Sequence, residues 1–86
     1  MKILFDEQGW EDYLHWFEND RKIARKINAL IKDITRDPFS GIGRPEPLKY
    51  EFSGFWSRRI DEVHRLIYQI RNEIITIIQC RFHYDS

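Results

Sequence analysis

At 86 residues with 42% hydrophobic and 15% aromatic content, the chain has the length of a single domain, 1–86, and enough apolar material for a core, which excludes a disordered chain. Its 14 basic and 14 acidic residues cancel, which excludes strong long-range attraction to free nucleic acid, so an RNA role needs a partner. The single Cys excludes an internal disulfide framework, and neither the N-terminal apolar run nor Ile74 to Ile78 suits a signal peptide or a membrane span; a soluble cytoplasmic protein is expected.

Charge is unevenly spread: residues 1 to 20 sum to −5 and residues 21 to 43 to +4. Lys2 to Phe5 is a strand candidate, and Asp6 is placed to cap the helix that follows. Phe5 and Trp10 then occupy the two positions of a hydrophobic staple. Trp10, Tyr13, Leu14 and Phe17 recur at helical spacing, with Glu11, Asp12 and Glu18 on the other side. Gly9 weakens the first turn. Asn19 and Asp20 break this helix and cap a second one, whose apolar stripe runs Ile23, Ile27, Leu30, Ile31, Ile34. Its basic outer face, Arg21, Lys22, Arg25, Lys26 and Lys32, reads most simply as solvated; an acidic partner or rRNA is the other reading.

Asp37 to Pro47, DPFSGIGRPEP, holds every Pro in the chain and two of its four Gly, and is expected to be a loop. A short strand near Leu48 to Phe52 follows. Gly54 to Ile70, GFWSRRIDEVHRLIYQI, has aromatic and β-branched arms around a polar interruption, the pattern of a β-hairpin. A three-residue turn, Asp61 to Val63, sets Ile60 opposite His64 and Arg59 opposite Arg65, on one face. Like charges directly across a ladder are destabilising, so an anion between the two guanidiniums would account for them. A two-residue turn sets Arg59 opposite Leu66 instead, and with no Gly or Asn in the turn both remain open.

After a turn at Arg71 to Glu73, a last strand is expected from Ile74 to Tyr84. Its alternation places Ile74, Thr76, Ile78, Cys80, Phe82 and Tyr84 on one side and Ile75, Ile77, Gln79, Arg81 and His83 on the other, which turns polar towards the C-terminus. Helices on one face of such a sheet leave an open, increasingly polar face, a βααβββ(β) arrangement of the α+β class.

Glu46 lies between Pro45 and Pro47, which restrict the backbone and stiffen the carboxylate's mounting; a catalytic base and a plain solvent-facing acid both fit. His83 suits acid or base work near neutral pH, and equally a simple exposed position. Cys80 reads as a core residue, and C-x-x-H with His83 is too little for a zinc site. No P-loop, GxGxxG, HExxH or GxSxG occurs. Trp10, Trp16 or Phe55 could serve a homodimer contact, though core packing suits each as well.

In one order along the chain, WEDYLHW, KINALIKDI, DPFSGIGRPEPLK, SGFWSRRI, EVHRLIY and CRFHY resemble the YoeB-type mRNA interferase toxins of the RelE superfamily. The resemblance implies a RelE-like fold, with an N-terminal strand and αα-hairpin packed on one face of a mainly antiparallel four- to five-stranded sheet. It implies an endoribonuclease that cuts mRNA in the A site of the small ribosomal subunit, without metal or cofactor, and that a cognate YefM-type antitoxin neutralises. The family's functional positions fall on Glu46, Lys49, Arg59, Arg65, His83 and Tyr84. In the implied reaction the RNA 2′-hydroxyl attacks the adjacent phosphate, Glu46 takes its proton and His83 protonates the leaving 5′-oxygen. Arg65, with Arg59 and Lys49, steadies the phosphorane, and Tyr84 orients a nucleotide. Ile42 and Phe82 depart from the expected pattern, and Asp85 and Ser86 extend it. Related ParE-type toxins share the fold but inhibit DNA gyrase by binding, and form the rival reading; a metal-dependent nuclease lacks its acidic cluster.

Overall fold

The computed structural model describes residues 1–82. Along the chain run β1 (Lys2–Phe5), α1 (Glu7–Asn19), α2 (Arg21–Arg36), β2 (Glu46–Pro47), a 3-10 turn (Tyr50–Phe52), β3 (Phe55–Arg59), β4 (Arg65–Arg71) and β5 (Ile74–Gln79). The strands form one sheet in the order β1-β5-β4-β3-β2, in which only the β1–β5 pair is parallel. The two helices pack together over this sheet, giving the expected α+β architecture. No helix among the described residues is long and apolar enough to cross a membrane.

The helix starts follow the sequence closely. Asp6 is the N-cap of α1 in extended conformation, and its carbonyl, rather than its side chain, accepts the Trp10 N–H at 2.9 Å. Phe5 meets Trp10 edge-on, with ring centroids 5.5 Å apart, which is the staple. Asp20 caps α2 through its side chain, accepting the Ile23 N–H at 3.3 Å. Along α2 the residues Ala24, Ile27, Leu30, Ile31 and Ile34 are buried. Each fully buried aliphatic side chain there contributes about 1.5–3 kcal/mol.

Helix α1 is rotated from the expected stripe. Its buried residues are Gly9, Asp12 and Trp16, while Trp10 and Phe17 stay exposed. Close approach to β5 decides this. A Cβ on Gly9 would run into the Ile77 carbonyl oxygen, so only glycine lets the helix lie so near the strand. One turn on, the Asp12 carboxylate accepts the Cys80 N–H at 3.1 Å. One turn further, the Trp16 indole donates to the Cys80 carbonyl at 2.8 Å. The polar hold on Cys80 outweighs the hydrophobicity of Trp10 and Phe17.

Two strands also differ from expectation. The strand predicted near Leu48 to Phe52 is not formed there; the ladder pairing to β3 comes earlier, at Glu46–Pro47. The chain then turns, because Tyr50 adopts a left-handed φ of 58° and Tyr50–Phe52 close into a 3-10 turn. Pro47, lacking an N–H, is tolerated because β2 is the sheet's edge. The last strand stops at Gln79. Ile67 of β4 pairs with Gln79 but Tyr68 pairs with Ile77, so Ile78 is the extra residue of a β-bulge. The bulge switches the alternation. Ile75 and Ile77 are fully buried before it and Cys80 after it, although strict alternation assigns Cys80 to the opposite side.

Candidate active site

The parity of the hairpin turn, which the sequence leaves open, is settled by Asp61. Its carboxylate accepts the Val63 N–H at 2.9 Å and the His64 N–H at 2.6 Å, closing the turn without glycine. Burial pulls the Asp61 carboxyl upwards, but the backbone N–H donors of His64 and Val63 and the nearby Arg65 guanidinium hold it below the ordinary carboxylate value. The Ile60 N–H donates to the His64 carbonyl at 3.0 Å, and Arg59 pairs with Arg65. The two arginines therefore project from the same face.

Arg58, one residue earlier, points the other way and is fully buried. Its guanidinium forms a 2.6 Å ion pair with Asp33 on α2. It also donates to the carbonyls of Asp37 at 2.7 Å, Ser40 at 3.1 Å and Ile42 at 3.1 Å, and to the Tyr68 hydroxyl at 3.2 Å. Tyr68 in turn donates to the Pro38 carbonyl at 2.6 Å; burial pushes this phenol up, which keeps its proton available. One buried cation thus ties the proline- and glycine-rich loop to the sheet. Gly43, at φ 81°, brings the loop against β3, where its carbonyl accepts the Arg59 N–H at 2.6 Å. Of the adjacent pair, Arg58, which nothing in the sequence marks as buried, is the structural member, and Arg59 faces outward.

The loop delivers Glu46 onto β2, an edge strand rather than the loop expected for it. Glu46 pairs with Ser57, and Ser57 pairs with Ile67. Glu46, Ser57, Arg59 and Arg65 hence lie on one side of the sheet, opposite to Arg58 and Leu66. Directly facing Cβ atoms such as those of Arg59 and Arg65 are about 4.5–5.5 Å apart, and a diagonal neighbour such as Glu46 to Arg59 is about 7–8 Å away. Glu46, Lys49 and Arg59 are exposed and Arg65 is half-buried. Arg65 donates to the Asp61 and His64 carbonyls at 2.8 and 3.1 Å. Among the described residues none of these four side chains makes an ion pair. In such an arrangement the free carboxylate can accept a proton while the two facing guanidiniums hold an anion. Lys49 lies two residues after β2 and leads into the 3-10 turn. Among the described residues no group of three His, Cys, Asp or Glu side chains is placed to hold a metal ion.

His83 and Tyr84 lie outside the described residues, but the chain leading to them is well held. Cys80 is gripped by Asp12 and Trp16 of α1, as above. Two residues on, Phe82 adopts a left-handed φ of 68°. Its N–H donates to His64 Nδ1 at 2.7 Å, and its carbonyl accepts the Arg65 N–H at 3.1 Å. The Arg81 guanidinium lies over the Phe82 ring, 4.6 Å from its centroid. The three-residue turn places His64 opposite Ile60, as one of the two readings of the sequence has it, but its contact with Phe82, 18 residues further on, has no signal in the sequence.

The family described as YoeB-like toxin of bacterial type II toxin-antitoxin system matches residues 5–84. A toxin YoeB of Streptomyces coelicolor is 57% identical over 84 residues, covering 98% of this chain and 100% of the relative. A solved YoeB/ParE toxin from Agrobacterium tumefaciens superposes with a TM-score of 0.96 at 44% identity, covering 98% of this chain and 100% of that one. The toxin of a heterotetrameric YoeB-YefM toxin-antitoxin complex from Staphylococcus aureus superposes with a TM-score of 0.90 at 44% identity, with 98% of each chain covered. The match thus runs almost end to end in sequence and in backbone, and the chain belongs to the YoeB-like toxins of bacterial type II toxin-antitoxin systems.

Proposed function

We propose that this toxin is a ribosome-dependent, metal-independent endoribonuclease that cleaves mRNA in the ribosomal A site and so inhibits translation. The observation that carries the reading is the Arg59–Arg65 pair on the same sheet face as Glu46. Two guanidiniums facing each other, with no carboxylate paired to either among the described residues, cost stability and suit a phosphate between them. Glu46 takes the 2′-hydroxyl proton, Arg65 stabilises the charge on the pentavalent phosphorane with help from Arg59 and Lys49, and His83 protonates the departing 5′-oxygen. Tyr84 orients the nucleotide at the cut. The net charge of zero fits dependence on the ribosome, which presents the mRNA, better than capture of free RNA.

A YefM-type antitoxin is the proposed neutralising partner, by analogy with the Staphylococcus aureus complex, and the cytoplasm is the place of action. The exposed Trp10 is available to a homodimer contact, whereas Trp16 is in the core. Primer extension on ribosomes stalled at a defined codon tests the reaction. The wild type is expected to create a new 5′ end in the A-site codon, and Glu46→Ala and His83→Ala to reduce it by about 10²- to 10⁴-fold each. A folded, growth-inhibitory protein that leaves the mRNA intact would instead favour gyrase binding of the ParE kind.

A further inference from the structure

The peptide of Phe82 is held at both ends by consecutive residues of the hairpin: His64 Nδ1 accepts its N–H at 2.7 Å, and the Arg65 N–H donates to its carbonyl at 3.1 Å. The acceptor is one atom of a titratable ring. An imidazole that accepts at Nδ1 carries its proton on Nε2, and a second proton turns Nδ1 from acceptor into donor. The ring is fixed in place by its neighbours. The backbone N–H of His64 is anchored on the Asp61 carboxylate at 2.6 Å, and Trp16 meets the imidazole edge-on with centroids 4.8 Å apart. Phe82 itself sits at φ 68°, a conformation that a non-glycine residue keeps only when its surroundings enforce it. Without the His64 acceptor one of the two bonds enforcing it is gone.

Phe82 immediately precedes His83 in sequence, so whatever fixes its peptide fixes the point from which the chain runs on to the proposed acid. We propose that His64 is a positioning residue of the active site and a pH-sensitive latch: the neutral ring holds the Phe82 peptide against β4, and the imidazolium releases it. The effect on activity rests on the endoribonuclease reading; the latch does not. Among the described residues the charged groups near the ring are Asp61 from the turn, Arg65 from β4 and Arg81 from the segment after β5. Helix α1 presents the Trp16 ring, with His15 packed edge-on against Trp16 at 4.9 Å.

Two readouts test this separately. The first is nitrogen-15 NMR of the ring and of the Phe82 amide across the imidazole titration. The expected result is an unprotonated Nδ1 at neutral pH and a Phe82 amide resonance shifted far downfield, with both signals titrating together. A proton on Nδ1 at neutral pH, or a Phe82 amide indifferent to the ring's titration, overturns the latch whatever the protein's activity. The second compares A-site cleavage at saturating ribosomes by His64→Leu, which has no acceptor, and His64→Asn, whose amide oxygen can stand near Nδ1 but does not titrate. His64→Leu is expected to lower the cleavage rate by about 10- to 100-fold with its fold intact. His64→Asn is expected to recover most of that loss and to keep its rate as the pH falls through the wild type's imidazole titration. Equal activity in all three proteins, or equal loss in both variants, overturns the positioning role. If the wild type cuts no mRNA, the reading of the reaction fails and the NMR result still decides the latch.

Discussion

Arg58 and Asp33 join the sheet to α2 through a 2.6 Å ion pair whose cationic member has no solvent contact. The Asp33 carboxylate serves three donors at once. Hydrogen bonds from Arg36, then Arg58, then the Ile42 N–H hold its pKa well below the ordinary 3.8. A carboxyl lowered on folding contributes stability that is fully present above its unfolded value and is lost as the pH falls towards its folded value. The loop that carries Glu46 to the sheet therefore depends on an ionised Asp33.

Acid denaturation followed by circular dichroism is expected to show the consequence. The wild type should lose stability steadily below about pH 4, and Asp33→Asn, already weaker at neutral pH, should show a flatter decline over the same interval. An identical slope in the two proteins would show that other carboxyls dominate acid unfolding.

Replacing Arg58 by Met keeps a stem of similar shape as far as Nε and removes every hydrogen bond the guanidinium makes. The Asp37, Ser40 and Ile42 carbonyls and the Tyr68 hydroxyl then lose a donor, and Asp33 keeps only Arg36 and the Ile42 N–H. A cost of about 3 kcal/mol or more is expected in urea unfolding. Hydrogen exchange should localise the loosening to residues 37–44.

Gly9→Ala pits helix propensity against packing. Alanine improves an α-helix by about 1 kcal/mol, yet its Cβ would collide with the Ile77 carbonyl oxygen, which is backbone and cannot step aside. Net destabilisation of about 1–3 kcal/mol is expected. A rise in the urea midpoint would mean that α1 shifts outward freely.

Cys80 offers a probe of the same contact. Burial pushes its thiol up to about 12, its Sγ lies 3.6 Å from the Gly9 carbonyl, and a buried neutral thiol is a poor nucleophile. A thiol reagent at mildly alkaline pH is expected to modify the native protein only at the rate of its opening, and the unfolded protein at once. Trp16→Phe, which leaves the Cys80 carbonyl without its indole donor, should cost about 1–3 kcal/mol and accelerate the modification.

The sequence made the elements legible where local rules act alone. The Asp20 cap, the Phe5–Trp10 staple and the α2 stripe all follow from spacing. It also made Arg59 and Arg65 legible as facing cations, conditional on a turn length that Asp61 decides. What it hid depends on contacts remote in sequence. The inward face of α1 is chosen by Cys80, the end of β5 by a bulge at Ile78, and the inward turn of Arg58 by acceptors on α2 and the loop. Hydrophobicity marks neither a buried arginine nor a buried aspartate, because their burial is decided by the partners that satisfy them.

The Arg59–Arg65 pair should set stability and activity against each other. Arg59→Gln keeps most of the side chain's reach and removes one of two like charges across the ladder, so the urea midpoint is expected to rise, by about 0.2–1 kcal/mol in stability. The gain should shrink as salt is added, since both groups reach solvent and their repulsion is screened. Under the proposed function the same change removes a cation from the phosphate site, so A-site cleavage should fall by about tenfold or more while the fold becomes firmer. Loss of stability on this substitution would mean that the two guanidiniums support the hairpin, and would remove the physical ground for placing an anion between them. A rise in stability with cleavage unchanged would leave the pair strained but place the phosphate elsewhere on the sheet.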